Sequence, residues 1–254
     1  MGPHGSSLRI VHLGKFFHPA HGGIERTVRS LAHAQAMLGC SVRVICMDHE
    51  RGRATRVERD GPVEVVRLRR ATSFCKLDHC PDLPRLIRDS EADLLHLHTP
   101  NPSMILGLML SSDRRPLVVS HHSDVVKQRL CRLLFSPIER ACYDRARLVL
   151  TTSPPYIAGS SLLRRCAGRV AVLPIGLDLE PFLNPSPEVV ERGDLLRSSH
   201  PGPLWFACGR LVYYKGLETA MHALRSVPGT LLIAGDGPMQ TRLERLAARL
   251  DLEG

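Results

Sequence analysis

The chain of 254 residues contains 43% hydrophobic and 23% charged residues, which is typical of a globular protein with one large domain or two moderate ones. Its net charge of +9 indicates an acidic partner. The aromatic content of 4% is too low for platforms that stack single-stranded nucleic acid, and the arginines are spread along the chain instead of forming one basic arm. We therefore expect no nucleic-acid partner.

Cysteine usage and the N-terminal sequence indicate the compartment. The 8 cysteines are scattered and form no C-x-x-C pair, and several lie within apolar runs, as reduced cysteines of cytosolic proteins do. Residues 1–7 lack the apolar stretch of a secretory signal, and no run of about 18 apolar residues predicts a membrane span. The sequence therefore predicts a cytoplasmic protein.

The first predicted strand, 8–13, leads to Gly22 and Gly23, and a helix follows whose apolar face extends from Ile24 to Leu38. Two glycines at the start of a helix let the backbone approach a ligand closely, and a helix N-terminus favours a phosphate or an acidic group. A tight turn from strand to helix would use the same glycines. The residues alone leave both interpretations open.

Further strands are predicted at 42–47 and 63–68, with a polar, arginine-rich loop between them, and at 94–100. The last of these contains His96 and His98, whose side chains share a face because the side-chain period of a strand is two. Such histidines are either hydrogen-bonded core residues or metal ligands. Because the pattern offers no further ligands, we predict no metal site.

A polar cluster follows the next predicted helix, 101–110, and strand, 117–120. The strand leads directly into His121, His122, Ser123 and Asp124. Because α/β sheets place their chemistry at the carboxyl ends of their strands, a histidine near a carboxylate here would handle protons or anchor a polar group. A solvated loop is the alternative.

The segment 126–134 combines the cations Lys127, Arg129 and Arg132 with leucines. A basic amphipathic helix of this kind can lie on an anionic membrane surface. It can equally be an ordinary amphipathic helix with a solvated cationic face. The segment therefore leaves open a peripheral position at the inner face of the cytoplasmic membrane.

Prolines and glycines mark a linker between two predicted domains. Strands at 148–152 and 170–173, with a helix near 156–165 between them, complete the first domain. Proline and glycine then gather between residues 174 and 203. We predict an N-terminal Rossmann-like domain at 1–173, a linker at 174–202 and the start of a second domain at 203–254.

The second domain begins with a strand, 204–208, followed by Gly209 and by a helix at 216–224. Arg210 and Lys215 lie between strand and helix, where a planar guanidinium, a flexible ammonium and a helix N-terminus together suit a diphosphate. A second strand, 230–234, enters the turn 235–238 before another helix. The pattern predicts an anion site, with a surface loop of solvated cations as the alternative.

These motifs resemble a known family. The pattern F-x-x-G-R-L-x-x-x-K-G-x-E-x-A-x-x-A at 206–223 and L-x-I-x-G-x-G-P at 231–238 are similar to the donor half of retaining GT-B glycosyltransferases, glycosyltransferase family 4. Residues 22–25 resemble the family's N-terminal glycine loop, and residues 122–124 its histidine motif. The resemblance implies an α/β fold, GT-B-like, with two Rossmann-like parallel-sheet domains.

The resemblance also implies a reaction and its site. The donor would be a nucleotide-diphosphate sugar, such as GDP-mannose or a UDP-sugar, and the acceptor a lipid-linked saccharide or polysaccharide, as in bacterial lipopolysaccharide assembly. Transfer would retain the anomeric configuration and need no cofactor. The implied site residues are Arg210, Lys215 and Gly23 for the donor diphosphate, Gly235 and Gly237 for the donor-side turn, Gly22 and Glu25 for the acceptor side, and His122 and Asp124 for catalysis.

One departure from the family concerns the second domain, which we expect to be incomplete. The family has an acidic E-x-x-x-x-x-x-x-E motif after the G-x-G-P turn, and no such motif follows Pro238 here. An inactive truncated remnant or binding module of the family is therefore an alternative function, and a GT-B-fold nucleotide-sugar epimerase is another. A dinucleotide oxidoreductase is disfavoured because the turn 235–238 lacks the third glycine of the dinucleotide fingerprint.

Overall fold

The computed structural model describes residues 7–74, 77–124, 129–177 and 179–252. The chain divides into Met1–Leu177, called unit 1, and Asp178–Gly254, called unit 2. The domain limits predicted from the sequence, at residues 173 and 202, stay a prediction.

Unit 1 is built on a sheet of eight strands among its described residues, in the order β10-β9-β8-β7-β1-β2-β4-β3. Neighbouring strands are parallel except for β3 and β4. A separate antiparallel hairpin is formed by β5 and β6. The strands are β1 (Arg9–Leu13), β2 (Ser41–Met47), β3 (Arg56–Asp60), β4 (Val63–Leu68), β5 (Thr72–Phe74), β6 (Leu77–His79), β7 (Leu94–Thr99), β8 (Leu117–His121), β9 (Leu148–Thr151) and β10 (Val170–Val172).

Helices cover both faces of this sheet. They are α1 (Gly23–Met37), α2 (Leu83–Asp89), α3 (Pro102–Leu110), α4 (Arg129–Arg145), α5 (Pro154–Gly159) and α6 (Ser161–Arg165). One buried cluster contains Leu13 and residues of α3 and α4, and a second contains Val44 and residues of α1. The two clusters lie on opposite faces because alternate strand residues point to opposite sides.

The strand order explains where a ligand would bind in unit 1. The order reverses between β1 and β7. The chain places β2 and β4 on one side of β1, and it places β7, β8 and β9 on the other side. In doubly wound sheets, ligands bind beyond the carboxyl ends of the strands at such a switch point. The parallel sheet confirms the predicted α/β fold class and directs attention to the loops after β1, β7 and β8.

Two local predictions were wrong. The polar loop expected between 47 and 63 contains β3, which pairs with β4 at the edge of the sheet. An edge strand is partly solvated, so Arg56, Glu58 and Asp60 can belong to it without being buried. The single helix expected at 156–165 is split at Ser160 into α5 and α6. The Ser160 hydroxyl accepts from the Leu163 N–H and donates to Asp124, so it caps α6.

An ion-pair cluster fastens α1 to the end of β3. Arg29 donates to Asp60 from Nε at 2.7 Å and from Nη2 at 2.9 Å, and His33 lies 2.9 Å from the same carboxylate. The Arg29 hydrogen bond is the main cause that lowers the pKa of Asp60 to about 2. The carboxylate therefore stabilises the folded chain above its ordinary pKa, and this contribution is lost as pH falls toward 2.

We expect Asp60→Asn to lower the free energy of unfolding by about 1–2 kcal/mol at pH 7, because the variant loses the charge in a bidentate, partly buried pair. Urea unfolding measures the change. Glu91→Gln is the matched control, since Glu91 is 83% exposed and pairs with Arg9 at 3.2 Å, so its loss should cost under about 0.5 kcal/mol. Equal losses in the free energy of unfolding for the two variants would contradict the stabilising role of the Asp60 ion pair.

Unit 2 contains two parallel strands and several helices in its described residues. The elements are α7 (Glu180–Leu183), α8 (Pro187–Ser199), β11 (Leu204–Cys208), a 3-10 turn (Tyr213–Lys215), α9 (Leu217–Ala223), β12 (Thr230–Ala234) and α10 (Gln240–Leu250). The residues predicted as linker thus include α7 and α8. A small core of Leu211, Met221, Leu243 and Leu246 joins the loop after β11 to α9 and α10.

The structure describes only part of the basic segment 126–134. Lys127 lies outside the described residues, while Arg129 and Arg132 belong to the first turns of α4. Across the described ranges, no helix combines the length and the apolar character needed to cross a bilayer.

Candidate functional site

The loop after β1 and the start of α1 form a cleft of about 540 Å³ in unit 1. It is lined by His18, by residues 20–23 and by Glu25, Arg26 and Arg29. Gly22 caps α1, and its carbonyl accepts from the Arg26 N–H at 3.0 Å. A side chain at Gly22 would meet the carboxylate of Glu25, whereas one at Gly23 would point into open space. The structure thus brings Gly22, Gly23 and Glu25 together at one helix N-terminus.

A buried arginine holds the loop after β1 in place. Arg67 on β4 is 3% exposed, donates to the carbonyls of Phe17 and His18, and pairs with Glu58. Phe17 itself is fully buried in the core beneath α1. The hydrogen bonds of Arg67 and the burial of Phe17 both anchor the base of the loop, so the loop presents its glycines to the cleft from a fixed position.

A row of hydrogen-bonded histidines lies at the switch point of the sheet. His12 on β1 bonds to His98 on β7, Nδ1 to Nε2, at 3.0 Å. His98 in turn bonds to His122, Nδ1 to Nε2, at 3.1 Å. At the other end, Nε2 of His12 bonds to Oε1 of Gln35 on α1 at 2.7 Å. We call His12, His98 and His122 the histidine row, and it connects α1 to the end of β8.

Burial keeps the histidine row uncharged. It lowers the pKa of His12 to about 4 and that of His98 well below its ordinary value. Burial also lowers the pKa of His122 to about 4, with a further contribution from the neighbouring His121. His122 is only partly buried and lies at the carboxyl edge of the sheet. At neutral pH it therefore offers a ligand a neutral imidazole and not a cation.

His96 brings a third histidine next to His12 and His98. Their ring nitrogens lie within 4.8 Å of one another, a grouping that could hold a metal ion. Both ring nitrogens of His12 are already hydrogen-bonded, however, and Nε2 of His96 bonds to the Ser120 hydroxyl at 2.8 Å. This geometry favours the interpretation of His96 and His98 as hydrogen-bonded core residues, and the absence of a metal site stays a prediction.

The opposite face of the same strands carries a second polar network. His121 Nδ1 lies 2.7 Å from the hydroxyl of Tyr143 on α4, which lies 2.6 Å from the Thr99 hydroxyl. His121 Nε2 faces Asp124 at 3.6 Å, and Asp124 is held by Ser160. The two predicted catalytic residues, His122 and Asp124, therefore belong to different networks, and the histidine beside the carboxylate is His121.

In unit 2 the loops after β11 and β12 lie directly against each other. The Leu211 N–H donates to the Asp236 carbonyl at 2.7 Å, and the Met239 N–H to the Leu211 carbonyl at 3.1 Å. Gly235 and Gly237 have φ values of 142° and 155°, and a Cβ at either position would overlap the backbone of the facing loop. Only glycine permits both the backbone conformation and the close approach. This is the structural role of the predicted donor-side turn.

Arg210 and Lys215 lie on the loop after β11, and both side chains are exposed. Lys215 Nζ is 3.9 Å from the place that a Cβ would take at Gly209, so the ammonium lies over the glycine where the loop begins. Within the described part of unit 2, neither cation forms an ion pair, and the nearby Glu218 is paired with Arg242 at 2.5 Å. The loop therefore presents two positive charges that no carboxylate among the described residues of unit 2 neutralises.

Sequence reasoning missed His12, Gln35 and Tyr143. His12 lies in the predicted strand 8–13, and its place in the site follows only from the strand order, which puts that strand beside the one with His96 and His98. No sequence signal singled out Gln35, because a polar residue in an amphipathic helix is ordinary.

The parallel sheet with its switch point in unit 1, and the strand–glycine–helix repeat in unit 2, are the features of a GT-B-like protein. The family model described as "Glycosyl transferase 4-like domain" matches residues 22–176. The chain belongs to this family, which confirms the resemblance found in the sequence.

The D-rhamnosyltransferase WbpZ of Pseudomonas aeruginosa is 28% identical over 249 residues, with 96% of this chain and 64% of the relative covered. The O-antigen chain mannosyltransferase C of Escherichia coli is 26% identical over 254 residues, with 96% and 65% covered. The chain thus spans less than two thirds of the length of either relative. Anabaena HepE in complex with UDP shares the fold, with a TM-score of 0.68, 19% identity and 96% and 67% of the two chains covered.

Proposed function

We propose that the protein acts in the transfer of a hexose from a nucleotide-diphosphate sugar to a saccharide or lipid-linked acceptor, with retention of the anomeric configuration. The observation that supports this most strongly is the loop after β11, where Arg210 and Lys215 are exposed and have no carboxylate partner among the described residues. Family membership and the sugar-transferase names of both relatives support the same reaction.

The two cations suit the leaving group of this reaction. When the bond between the sugar and the diphosphate breaks, negative charge grows on the diphosphate oxygens. A guanidinium can bind two such oxygens at once, and an ammonium adds a mobile point charge. Fixed charges of this kind are usually the largest contribution to catalysis. We propose that Arg210 and Lys215 bind the diphosphate, while Gly235 and Gly237 let the neighbouring loop support them.

In unit 1 we propose that the cleft at Gly22, Gly23 and Glu25 serves the acceptor and the donor phosphates. His122 would contact the sugar as a neutral imidazole, consistent with its lowered pKa. Asp124, held by Ser160 and near His121, would supply a carboxylate at the same edge of the sheet. Departure of the diphosphate would leave positive charge on the sugar. A carboxylate attracts this charge and a neutral imidazole does not repel it, whereas a cation would.

Binding and transfer measurements test this function. We expect the 254-residue chain to bind one of GDP, UDP, GDP-mannose and UDP-N-acetylglucosamine clearly more tightly than the others in calorimetric titrations. With that donor and a polyprenyl-diphosphate-linked saccharide, it should release the nucleoside diphosphate, and the anomeric proton of the product should show the configuration of the donor. Failure to bind any nucleotide would favour an inactive remnant or a binding module. Inverted product would contradict retention.

The net charge of +9 and the basic segment 126–134 support a lipid-linked acceptor at an anionic membrane surface. Sedimentation with anionic vesicles at low salt tests this part, and a protein that stays in the supernatant would contradict it.

A further inference from the structure

The hydrogen bonds of the histidine row allow only one arrangement of protons once its first member is fixed. The amide oxygen of Gln35 can only accept, so Nε2 of His12 must carry the proton. A neutral His12 then presents a lone pair at Nδ1, which receives the N–H of His98 Nε2. The lone pair left at Nδ1 of His98 receives the N–H of His122 Nε2 in the same way.

The last nitrogen of the row is therefore defined. Nδ1 of His122 bears a lone pair, and none of the described residues hydrogen-bonds to it. An imidazole in this tautomer accepts a hydrogen bond and cannot give one from Nδ1. A hydroxyl group donates to such a nitrogen, whereas a phosphate oxygen or a carbonyl would face it lone pair to lone pair.

We propose that Gln35, acting through His12 and His98, holds His122 in the Nε2-protonated tautomer, so that His122 Nδ1 accepts a hydrogen bond from a sugar hydroxyl. Gln35 is a positioning residue in this scheme, placed on α1 and separated from His122 by two imidazoles. The identity of the ligand group as a sugar hydroxyl rests on the proposed function, but the tautomer does not.

The burial of the row explains why Gln35 can act at this distance. A cationic member would donate from both nitrogens and would break the sequence of donors and acceptors. His12 and His98 are 0% and 2% exposed, so water does not reach them to exchange partners. The rings of His98 and His122 lie edge to edge, with centroids 5.4 Å apart and planes inclined by 18°, which suits a hydrogen bond in the plane of both rings.

Nitrogen-15 NMR of histidine-labelled protein at pH 8 tests the tautomer directly, with His122→Gln used to assign the resonances of His122. We expect His12, His98 and His122 all to carry the proton on Nε2. Gln35→Glu, whose carboxylate also only accepts, should keep this pattern. Gln35→Leu should shift the His122 resonances toward an average of both tautomers, while the matched control Gln240→Leu, whose amide donates to Glu244 in unit 2, should leave them unchanged.

A proton on Nδ1 of His122 in the unsubstituted chain would overturn the proposal, as would an unchanged His122 spectrum in Gln35→Leu. If Gln35→Leu does not fold, the spectra of the unsubstituted chain and of Gln35→Glu still test it. The hydroxyl is tested separately, by the shift of His122 Nδ1 on addition of the nucleotide sugar that binds best. No nucleotide binding at all would contradict the proposed function and leave the tautomer result standing, whereas binding without a shift would contradict only the hydroxyl contact.

Discussion

Arg210→Ala and Lys215→Ala should each weaken binding of the preferred nucleoside diphosphate by about 10- to 100-fold. A hydrogen bond to a charged group contributes about 1.5–3 kcal/mol, and each tenfold loss in affinity corresponds to about 1.4 kcal/mol. Both side chains are exposed, and in the described part of the chain neither pairs with a carboxylate. Their charges are therefore available to the ligand without breaking an existing ion pair.

Turnover should fall further than affinity, by about 100- to 1,000-fold for each substitution, because the charge on the departing diphosphate is greatest in the transition state. Titration calorimetry and release of the nucleoside diphosphate measure the two effects. Arg249→Ala is the matched control: it removes one exposed cation from the last turn of α10 and leaves the loop after β11 intact. Losses in Arg249→Ala as large as in Lys215→Ala would mean that net charge, and not this loop, attracts the nucleotide.

The parallel strands could be predicted because they are buried on both faces and read as short apolar runs. β2 and β4 are of this kind, and the predicted limits differ from the observed ones by at most one residue. β3 could not be predicted in the same way, since Arg56, Glu58 and Asp60 form an edge strand with one neighbour and one partly solvated side. Four of its five residues are charged, a composition that is also common in loops.

The site was only partly predictable because its contacts join residues far apart in the chain. His96 and His98 share a face by strand periodicity alone. The bond from His12 to His98 joins residues 86 positions apart, and it exists because β1 and β7 are neighbours in the sheet. The order of strands had to be known before this contact could be inferred.

The same periodicity separates His121 from His122. Successive residues at a strand end point to opposite faces, so only one of the two histidines could lie beside Asp124. The resemblance to the family grouped His122 with Asp124, whereas the structure pairs Asp124 with His121 and places His122 in the histidine row. Strand periodicity alone would place His122 and Asp124 on one face, since they are two positions apart. The structure differs because β8 ends at His121, so the alternation does not extend to Asp124.

The stability of the chain should fall steeply as pH decreases from 6.5 to about 4. In the unfolded chain each histidine gains a proton near its ordinary pKa of 6.5, whereas burial holds the pKa of His12 and His122 at about 4 in the folded state. The unfolded state therefore binds more protons throughout this interval, and each such histidine removes up to about 1.4 kcal/mol of stability per pH unit. His96 and His98, with pKa values well below the ordinary one, act in the same direction.

His12 alone accounts for about 3 kcal/mol between these two pH values, by the same conversion of its pKa shift. Domains have total stabilities of about 5–15 kcal/mol, so the loss at His12 alone is a large fraction of the total. Urea unfolding followed by far-ultraviolet circular dichroism at pH 8, 7, 6 and 5 measures the slope. His98→Gln should be less stable at pH 8, because His12 and His122 lose a partner, and should show a shallower slope below pH 6.5.

His222→Gln is the control for this series, because His222 is exposed on α9 in unit 2 and lies outside the histidine row. Its curve should follow that of the unsubstituted chain. A stability that stays flat between pH 7 and 5 would mean that the folded row accepts protons as readily as the unfolded chain does. Such a row could not keep a fixed sequence of donors and acceptors, so this measurement also tests the condition under which Gln35 can control the tautomer of His122.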